Sequence, residues 1–409
     1  AALGLMAWAA AGRYYTANLR PAASVDGRTI PYRVYTRELG YALVKFYVEA
    51  GVPVGFENDS RIASQKAQYD RVALTSVIEQ ELLDEAARVE GFDVSQAEVD
   101  EHFVANYSEF RSRHILIAVD KEATDKDAAD KAALAKAQTV AASLRVAPND
   151  QELWNKLAKE SSADPGSKDL GGELGFVGKG GFVKEFEDHA RTAPIGEISD
   201  PVKTSFGYHV IQVEERTGPN TSASVKRWLT SGYSIEDIKA HERYDLLRER
   251  KTARLAAAIV SPVEQIHLLE VIVGTPAPTN QGQNDFVAAL KKIADVKAAL
   301  DKGTDFGEVA KQYSEDVDRA KVGGDAGWFA LGMLEVQTEN ELFALHVGSV
   351  SRQFATTAQT TWYKVVAKEP SRALDDDQRA KLKENAYSHW FEEQARAHKV
   401  QKLVPGLAF

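Results

Sequence analysis

The sequence predicts an α+β protein made of two copies of one module, set between helical segments. Three observations predict it. Strand-like apolar runs and short helical runs are mixed in two stretches, residues 111–217 and 263–370, the texture of sheet and helices packed together. Blocks recur between these stretches in a fixed register: 159–164 with 311–316, 171–176 with 323–328, and 196–199 with 348–351, each pair 152 positions apart. A single period of this size means two tandem domains rather than a solenoid. The remaining stretches carry helical periodicity and cap residues.

In chain order, residues 1–12 are apolar. As a helix they would rise ~18 Å, short of a ~30 Å hydrocarbon core. With Arg13, Tyr14 and Tyr15 behind them, residues 1–20 are expected to be the remnant of a membrane anchor or a signal segment. Residues 21–110 are expected to form an N-terminal helical domain. Within it, 22–30 reads as strand and turn. Leu74, Ile78, Leu82 and Ala86, with Val77 and Val89 beside them, form an apolar stripe, and Ser95 with Glu98 forms a capping box.

The first module, 111–217, should hold a strand at 114–119, a helix at 128–144 and a second helix at 151–159 capped by Asn149. Loop and tight strand follow over the glycine-rich 166–181, and a closing strand falls at 210–213. Residues 218–262 form a helical linker segment, opening on a Gly/Pro/Ser/Thr stretch at 218–223 and helical over 228–259, with Ser234 and Asp237 placed as a cap. The second module covers 263–370. Residues 371–409 form a C-terminal helix over 374–398, capped by Asp375 with Gln378.

Composition narrows the functional classes. The 409 residues carry 50 Lys+Arg against 60 Asp+Glu, a formal charge of −10 without a basic cluster, which argues against nucleic acid as a partner. The absence of cysteine excludes disulfides, thiolate catalysis and Cys-zinc sites. The nine histidines show neither HExxH nor HxH spacing, so no metal or cofactor is expected.

The first copy carries His114-Ile-Leu-Ile on its opening strand, Ser162-Ala-Asp164, Gly171-Gly-Glu-Leu174-Gly-Phe176 and Phe182-Val-Lys-Glu-Phe186. It continues with Gly196-Glu-Ile-Ser199 and Thr204-Ser-Phe-Gly-Tyr-His209 on the closing strand. These blocks, about a quarter of the chain, resemble the parvulin (rotamase) family of peptidyl-prolyl cis/trans isomerases. The flanking helical segments resemble, more loosely, the SurA/PrsA group of extracytoplasmic foldases. The resemblance implies a small antiparallel sheet wrapped by helices, with a prolyl pocket on the sheet. His114 and His209 would face each other on adjacent central strands as catalytic residues, with Asp164 beside them. Leu174, Phe182 and Phe186 would hold the proline ring, and Phe176 and Thr204 would line or support the site. The sequence departs from the family where Phe182 replaces the usual pocket Met and Arg191 an expected aromatic.

These residue types suit the chemistry. Rotation about an X–Pro bond meets a barrier of about 20 kcal/mol from amide resonance and breaks no covalent bond, so no nucleophile is needed. The requirement is to hold the twisted amide better than either planar form. Phe182 and Phe186, four apart, would share one helix face as an apolar wall. Two hydrogen-bonded imidazoles would fix one tautomer pattern, and Asp164 would tune the electrostatics near the carbonyl.

The second copy reads as degenerate. At the same offset His209 falls on Thr361, Phe186 on Thr338 and Phe182 on Leu334, while Asp164 is kept as Asp316. The opening strand aligns in two ways, placing either His267 or Glu270 at the histidine position. The loop 120–127 mixes charges and leans acidic, so no phosphate requirement is expected. The expected clients are unfolded or partly folded secreted chains, gripped by the helical ends. The competing reading is a non-catalytic holdase that uses both modules as scaffold.

Overall fold

The computed structural model describes residues 14–15, 19–49, 60–276 and 283–404. The apolar stretch at 1–12 lies outside them. Among the described residues no helix is long and apolar enough to cross a membrane.

From residue 21 the chain forms a hairpin, β1 (Pro21–Val25) and β2 (Arg28–Pro31). Asp26 and Gly27 turn it with positive φ, as a two-residue hairpin loop requires. Helices α1 (Tyr32–Glu49), α2 (Ser60–Glu90) and α3 (Gln96–Tyr107) follow. The predicted capping box of Ser95 and Glu98 starts α3. In α2 the buried stripe drifts through Leu74, Val77, Ile78, Leu82, Leu83 and Ala87, as a 3.6-residue turn dictates, and leaves Val89 exposed.

The first module contains β3 (Glu109–Ile117), α4 (Lys126–Val146), α5 (Gln151–Ser161), β4 (Glu173–Val177), α6 (Lys184–Thr192), β5 (Val202–Thr204) and β6 (Gly207–Thr217). Its antiparallel sheet has the order β4-β3-β6-β5. Strand β3 begins five residues before the predicted strand. Its early residue Arg113 is buried, bonded to Gln212 Oε1 at 2.7 Å and lying over the Trp154 ring. The cap of α5 is Asp150, not Asn149: its carboxylate accepts from the N–H groups of Glu152 and Leu153.

Strand alternation gives the sheet two faces. Ile115, Ile117, Tyr208 and Val210 join α4 and α5 around the fully buried Trp154. The opposite face joins Phe110, Ile211 and Val213 to Phe186 and Ala190 of α6. His114 and His209 fall on this second parity, beneath α6.

After the module come α7 (Ala223–Thr230) and α8 (Ile235–Ala257), the second starting on the expected Ser234/Asp237 cap, in which the Asp237 N–H donates to Ser234 Oγ and the Ser234 N–H to the Asp237 carboxylate. Gly232 adopts φ +86° between them. Tyr41, Phe103, Val225, Trp228 and Ile238 form a buried cluster from α1, α3, α7 and α8.

The second module contains β7 (Val263–Gly274), α9 (Gln283–Asp301), α10 (Phe306–Tyr313), α11 (Val317–Lys321), β8 (Asp325–Ala330), α12 (Val336–Ala344), β9 (Phe354–Ala355) and β10 (Gln359–Arg372). Its sheet order, β8-β7-β10-β9, repeats that of the first. Helix α13 (Asp376–Ala397) starts on the predicted Asp375/Gln378 capping box. The last strand, β11 (Gln401–Lys402), pairs antiparallel with β1, Ala23 opposite Lys402.

The chain forms two compact units. One comprises Arg33–Ser76 and Asp93–Leu246, and holds the first module. The other comprises Ala1–Tyr32, Val77–Phe92 and Leu247–Phe409, and holds the second.

Candidate active site

In the first module β3 and β6 are the central strands, with Leu116 opposite His209 and His114 opposite Ile211. The two histidines are therefore diagonal neighbours on one face. Their Nδ1 atoms are 2.9 Å apart. His114 Nε2 lies 2.8 Å from Asp164 Oδ2, and His209 Nε2 lies 2.9 Å from Thr204 Oγ1.

The four groups form one chain whose direction follows from donor and acceptor capacity. Both imidazoles are neutral at pH 7. Burial, reinforced by the neighbouring His114, pushes His209 down to about 4, and burial lowers His114 despite Asp164. Burial acts to raise the Asp164 pKa, but hydrogen bonds from Ser167, His114 and the Gly166 N–H outweigh it and hold the carboxyl below its ordinary value. An ionised Asp164 only accepts, so His114 donates from Nε2 and leaves Nδ1 as an acceptor. His209 then donates from Nδ1, and its Nε2 accepts the Thr204 hydroxyl proton. The Thr204 oxygen in turn accepts the Phe206 N–H at 3.1 Å. A neutral pair admits this tautomer assignment with every ring nitrogen bonded.

A cleft of about 550 Å³ opens over this chain, lined by His114, Asp164 and His209 and by Leu116, Leu174, Phe182, Phe186 and Phe206 among others. The Phe186 ring meets both imidazoles edge-on, at 5.6 Å from His114 and 5.3 Å from His209. Phe182 lies 4.6 Å from Phe186. The two do not share a helix face: α6 begins at Lys184, and the chain before it brings Phe182 back over Phe186.

The structure thus brings His114, Asp164, His209, Leu174, Phe182 and Phe186 to one cleft, with Thr204 bonded beneath it. It does not bring Phe176 there. Gly175 takes φ +70° and the β3–β4 register shifts beside it. The break in alternation leaves Phe176 45% exposed, lining a different cavity. Arg191, at the expected aromatic position, bonds Glu187 Oε1 and the Ala105 carbonyl at 2.8 and 3.1 Å.

Several site residues escaped the sequence reading. Leu116 alternates with His114 and could have been found by period-two logic. Phe206 sits inside the Thr204–His209 block. Ser167, three residues after Asp164, bonds its carboxylate at 2.5 Å. Glu187 accepts the Gly180 N–H at 2.7 Å and anchors the glycine loop above the cleft.

The second module resolves the ambiguous register. Glu270 N–H donates to Gly324 O, and Glu315 N–H to Ile272 O. The same bonds run from His114 to Gly172 and from Ala163 to Leu116. Glu270 therefore stands where His114 stands, and His267 falls on the opposite parity, stacked on Trp328. Glu270 pairs with Arg319, which also lies 3.7 Å from Asp316. Thr361 occupies the His209 position and accepts from Gln359 at 3.2 Å.

Residues 101–217 match a family model described as the PPIC-type PPIASE domain, and residues 271–362 match a second model of the same description. The chain thus carries two PPIC-type peptidyl-prolyl isomerase domains. The foldase protein PrsA of Geobacillus kaustophilus is 37% identical over 149 residues, covering 36% of this chain and 47% of that protein. The chaperone SurA of Chromohalobacter salexigens is 36% identical over 120 residues, covering 29% of this chain and 26% of that one. Among solved structures, peptidylprolyl isomerase PrsA from Bacillus anthracis is 21% identical, covers 53% of this chain and 76% of that one, and gives a TM-score of 0.26. The chain is homologous to the foldase PrsA and the chaperone SurA and spans about half the length, or less, of these curated relatives.

Proposed function

We propose that this chain is a peptidyl-prolyl cis/trans isomerase and folding chaperone, with catalysis confined to the first module. One observation carries the reading: a closed hydrogen-bond chain, Thr204–His209–His114–Asp164, forms the floor of an apolar cleft sized for a side chain.

In the planar X–Pro amide, resonance separates charge between oxygen and nitrogen. Twisting removes the resonance and lowers that polarity. A cleft walled by Leu116, Leu174, Phe182 and Phe186 grips the pyrrolidine ring and favours the less polar, twisted form. His114, Asp164 and His209 are the catalytic residues of this reading. Their fixed dipoles and the Asp164 charge are set in advance, so no reorganisation is needed at the moment of twisting.

The second module serves as a binding or structural copy, because an ion-paired glutamate and a threonine replace the imidazoles. The helical segments at 21–110 and 371–409 hold client chains, and the β1–β11 pairing ties the two ends together. Clients are unfolded or partly folded secreted polypeptides, encountered outside the cytoplasm. The apolar stretch at 1–12 tethers the protein to the membrane or is part of a signal segment.

The test is the isomerisation rate of an Ala-Pro peptide with the wild type and with His209→Ala. Catalysis above the spontaneous rate, falling about a hundredfold in the variant, supports the reading. A spontaneous rate with both, while aggregation of an unfolded client is still suppressed, replaces it with a holdase.

A further inference from the structure

One wall of the prolyl cleft is a glycine lip with little packing of its own. Gly180 and Gly181 line the cleft within the stretch Gly178-Lys-Gly-Gly181. Gly180 takes φ +80°, and nothing lies within 4 Å of where its Cβ would be. Such a stretch has much conformational freedom to lose, so its place is set by the bonds made to it. The Gly181 N–H closes a turn on the Gly178 carbonyl at 3.3 Å. Two further bonds hold the lip from outside: the Gly180 N–H donates to Glu187 Oε2 at 2.7 Å, and the Lys179 ammonium to Asn106 Oδ1 at 2.5 Å.

Both bonds lead to the last turn of α3. Glu187 and Arg191 lie one turn apart on α6. Arg191 donates from Nε to Glu187 Oε1 at 2.8 Å and from Nη1 to the Ala105 carbonyl at 3.1 Å. The last carbonyls of a helix lack intrahelical donors and carry negative potential, which suits a guanidinium. Asn106, the next residue, is itself fixed, its amide donating to the buried Glu242 at 2.5 Å. Glu187 is 8% exposed, so the relay through Arg191 is sheltered. Lys179 is exposed, and its bond contributes less.

The second module ties its lip to another helix. Glu339 Oε2 accepts the Gly332 N–H at 2.7 Å, its other oxygen meets His389 of α13, and Asn385 of α13 donates to the carbonyls of Gly332 and Met333 at 3.1 Å. The tie recurs there without imidazoles beneath it, and so provides an internal control.

We propose that Arg191 is a positioning residue, which with Lys179 makes α3 the support that sets the lip against the bound proline ring. The proposal rests on the isomerase reading above. It gives the residue standing where an aromatic was expected a part in substrate binding that acts through Glu187 and Gly180.

The test measures kcat and KM separately for an Ala-Pro tetrapeptide with the full chain. Arg191→Leu should raise KM about tenfold, the size of losing one methylene's contact in an apolar pocket. Its kcat should fall less than about twofold, because the Thr204–His209–His114–Asp164 chain is untouched. Arg191→Lys keeps a charge beside Glu187 without the planar fork and should recover part of the loss. A merely structural role would instead lower the folded fraction, reducing apparent kcat at constant KM. Lys179→Ala, a surface change that folds whatever Arg191→Leu does, should raise KM about twofold. His389→Leu, which cuts the matching tie in the second module, should leave kcat and KM unchanged. A wild-type KM in every Arg191 and Lys179 variant that folds, or a KM raised equally by His389→Leu, overturns the positioning role and leaves the isomerase reading standing. No turnover by the wild type removes both.

Discussion

The two modules share a frame and differ in what stands on it. Gly172 and Gly324, at φ +83° and +84°, each receive the opening-strand N–H on their carbonyl oxygen. An added Cβ at either would strike the backbone of that strand. Gly196 and Gly348 bond back to Val213 and Val365, and Glu187 and Glu339 each hold a glycine N–H at 2.7 Å. These groups act through the backbone, and the repeat keeps them. The groups aimed into the cleft change: His114 to Glu270, His209 to Thr361, Phe186 to Thr338. The residues that hold the frame are thus separable from those that line the cleft, and under the proposed function the chemistry would rest on the latter.

The sharpest break should come at the Phe186/Thr338 pair. Phe186 is 2% exposed and packs on Phe182 and both histidines. Phe186→Ala should cost about 3–5 kcal/mol and remove the cleft wall, lowering kcat/KM with stability. Thr338→Ala should cost about 1 kcal/mol or less and leave turnover unchanged. Urea denaturation of the two variants measures the difference. Equal losses would mean that both modules use this position only for packing.

Acidification should move the modules in opposite directions. His209 titrates near 4 in the folded chain against 6.5 unfolded, so between these values the unfolded state binds more protons. Its contribution is complete above 6.5 and lost as pH falls toward 4, about 3 kcal/mol at ~1.4 kcal/mol per tenfold in affinity. Glu270 is raised above 4.5 by burial, against its hydrogen bond from Arg319. Its contribution is complete below 4.5 and lost as pH rises through the raised value. Amide exchange between pH 7 and 4.5 should show β6 losing protection and β10 gaining it, with the gain reduced in Glu270→Gln. Parallel changes in both strands would refute the assignment of opposite signs.

What the sequence made legible follows from how locally each feature is encoded. The repeat, the sheet-and-helix texture and the capping boxes at Ser95 and Asp375 depend on neighbours in the chain. The positions of His114 and His209 on one face follow from strand alternation once the strands pair. Phe176 was misplaced because alternation assumes an unbroken strand, and the positive φ of Gly175 breaks it. Asn149 and Asp150 are both competent caps, and only backbone geometry chooses between them. His267 and Glu270 could not be separated because the copies differ in length. The offset is 152 at Asp316 but 156 at Glu270 and Ile272, and the backbone bonds of β7 decide it.

That register permits one more test, with the smallest expected effect. In a chain silenced by His209→Ala, Glu270→His with Thr361→His restores an imidazole at each of the two positions, with Asp316 retained nearby. The pair alone should give no turnover above the spontaneous rate. Arg319, half-exposed and relieved of Glu270, remains beside it, whereas Ser167 occupies the matching place by Asp164. Thr338 leaves the imidazoles without the aromatic ring that Phe186 sets against them. A polar floor without its apolar wall stabilises planar and twisted amides alike, and such uniform binding does not accelerate rotation. Turnover near the first module's rate would reverse this, and would assign catalysis to the histidines with the aromatic wall as bystander.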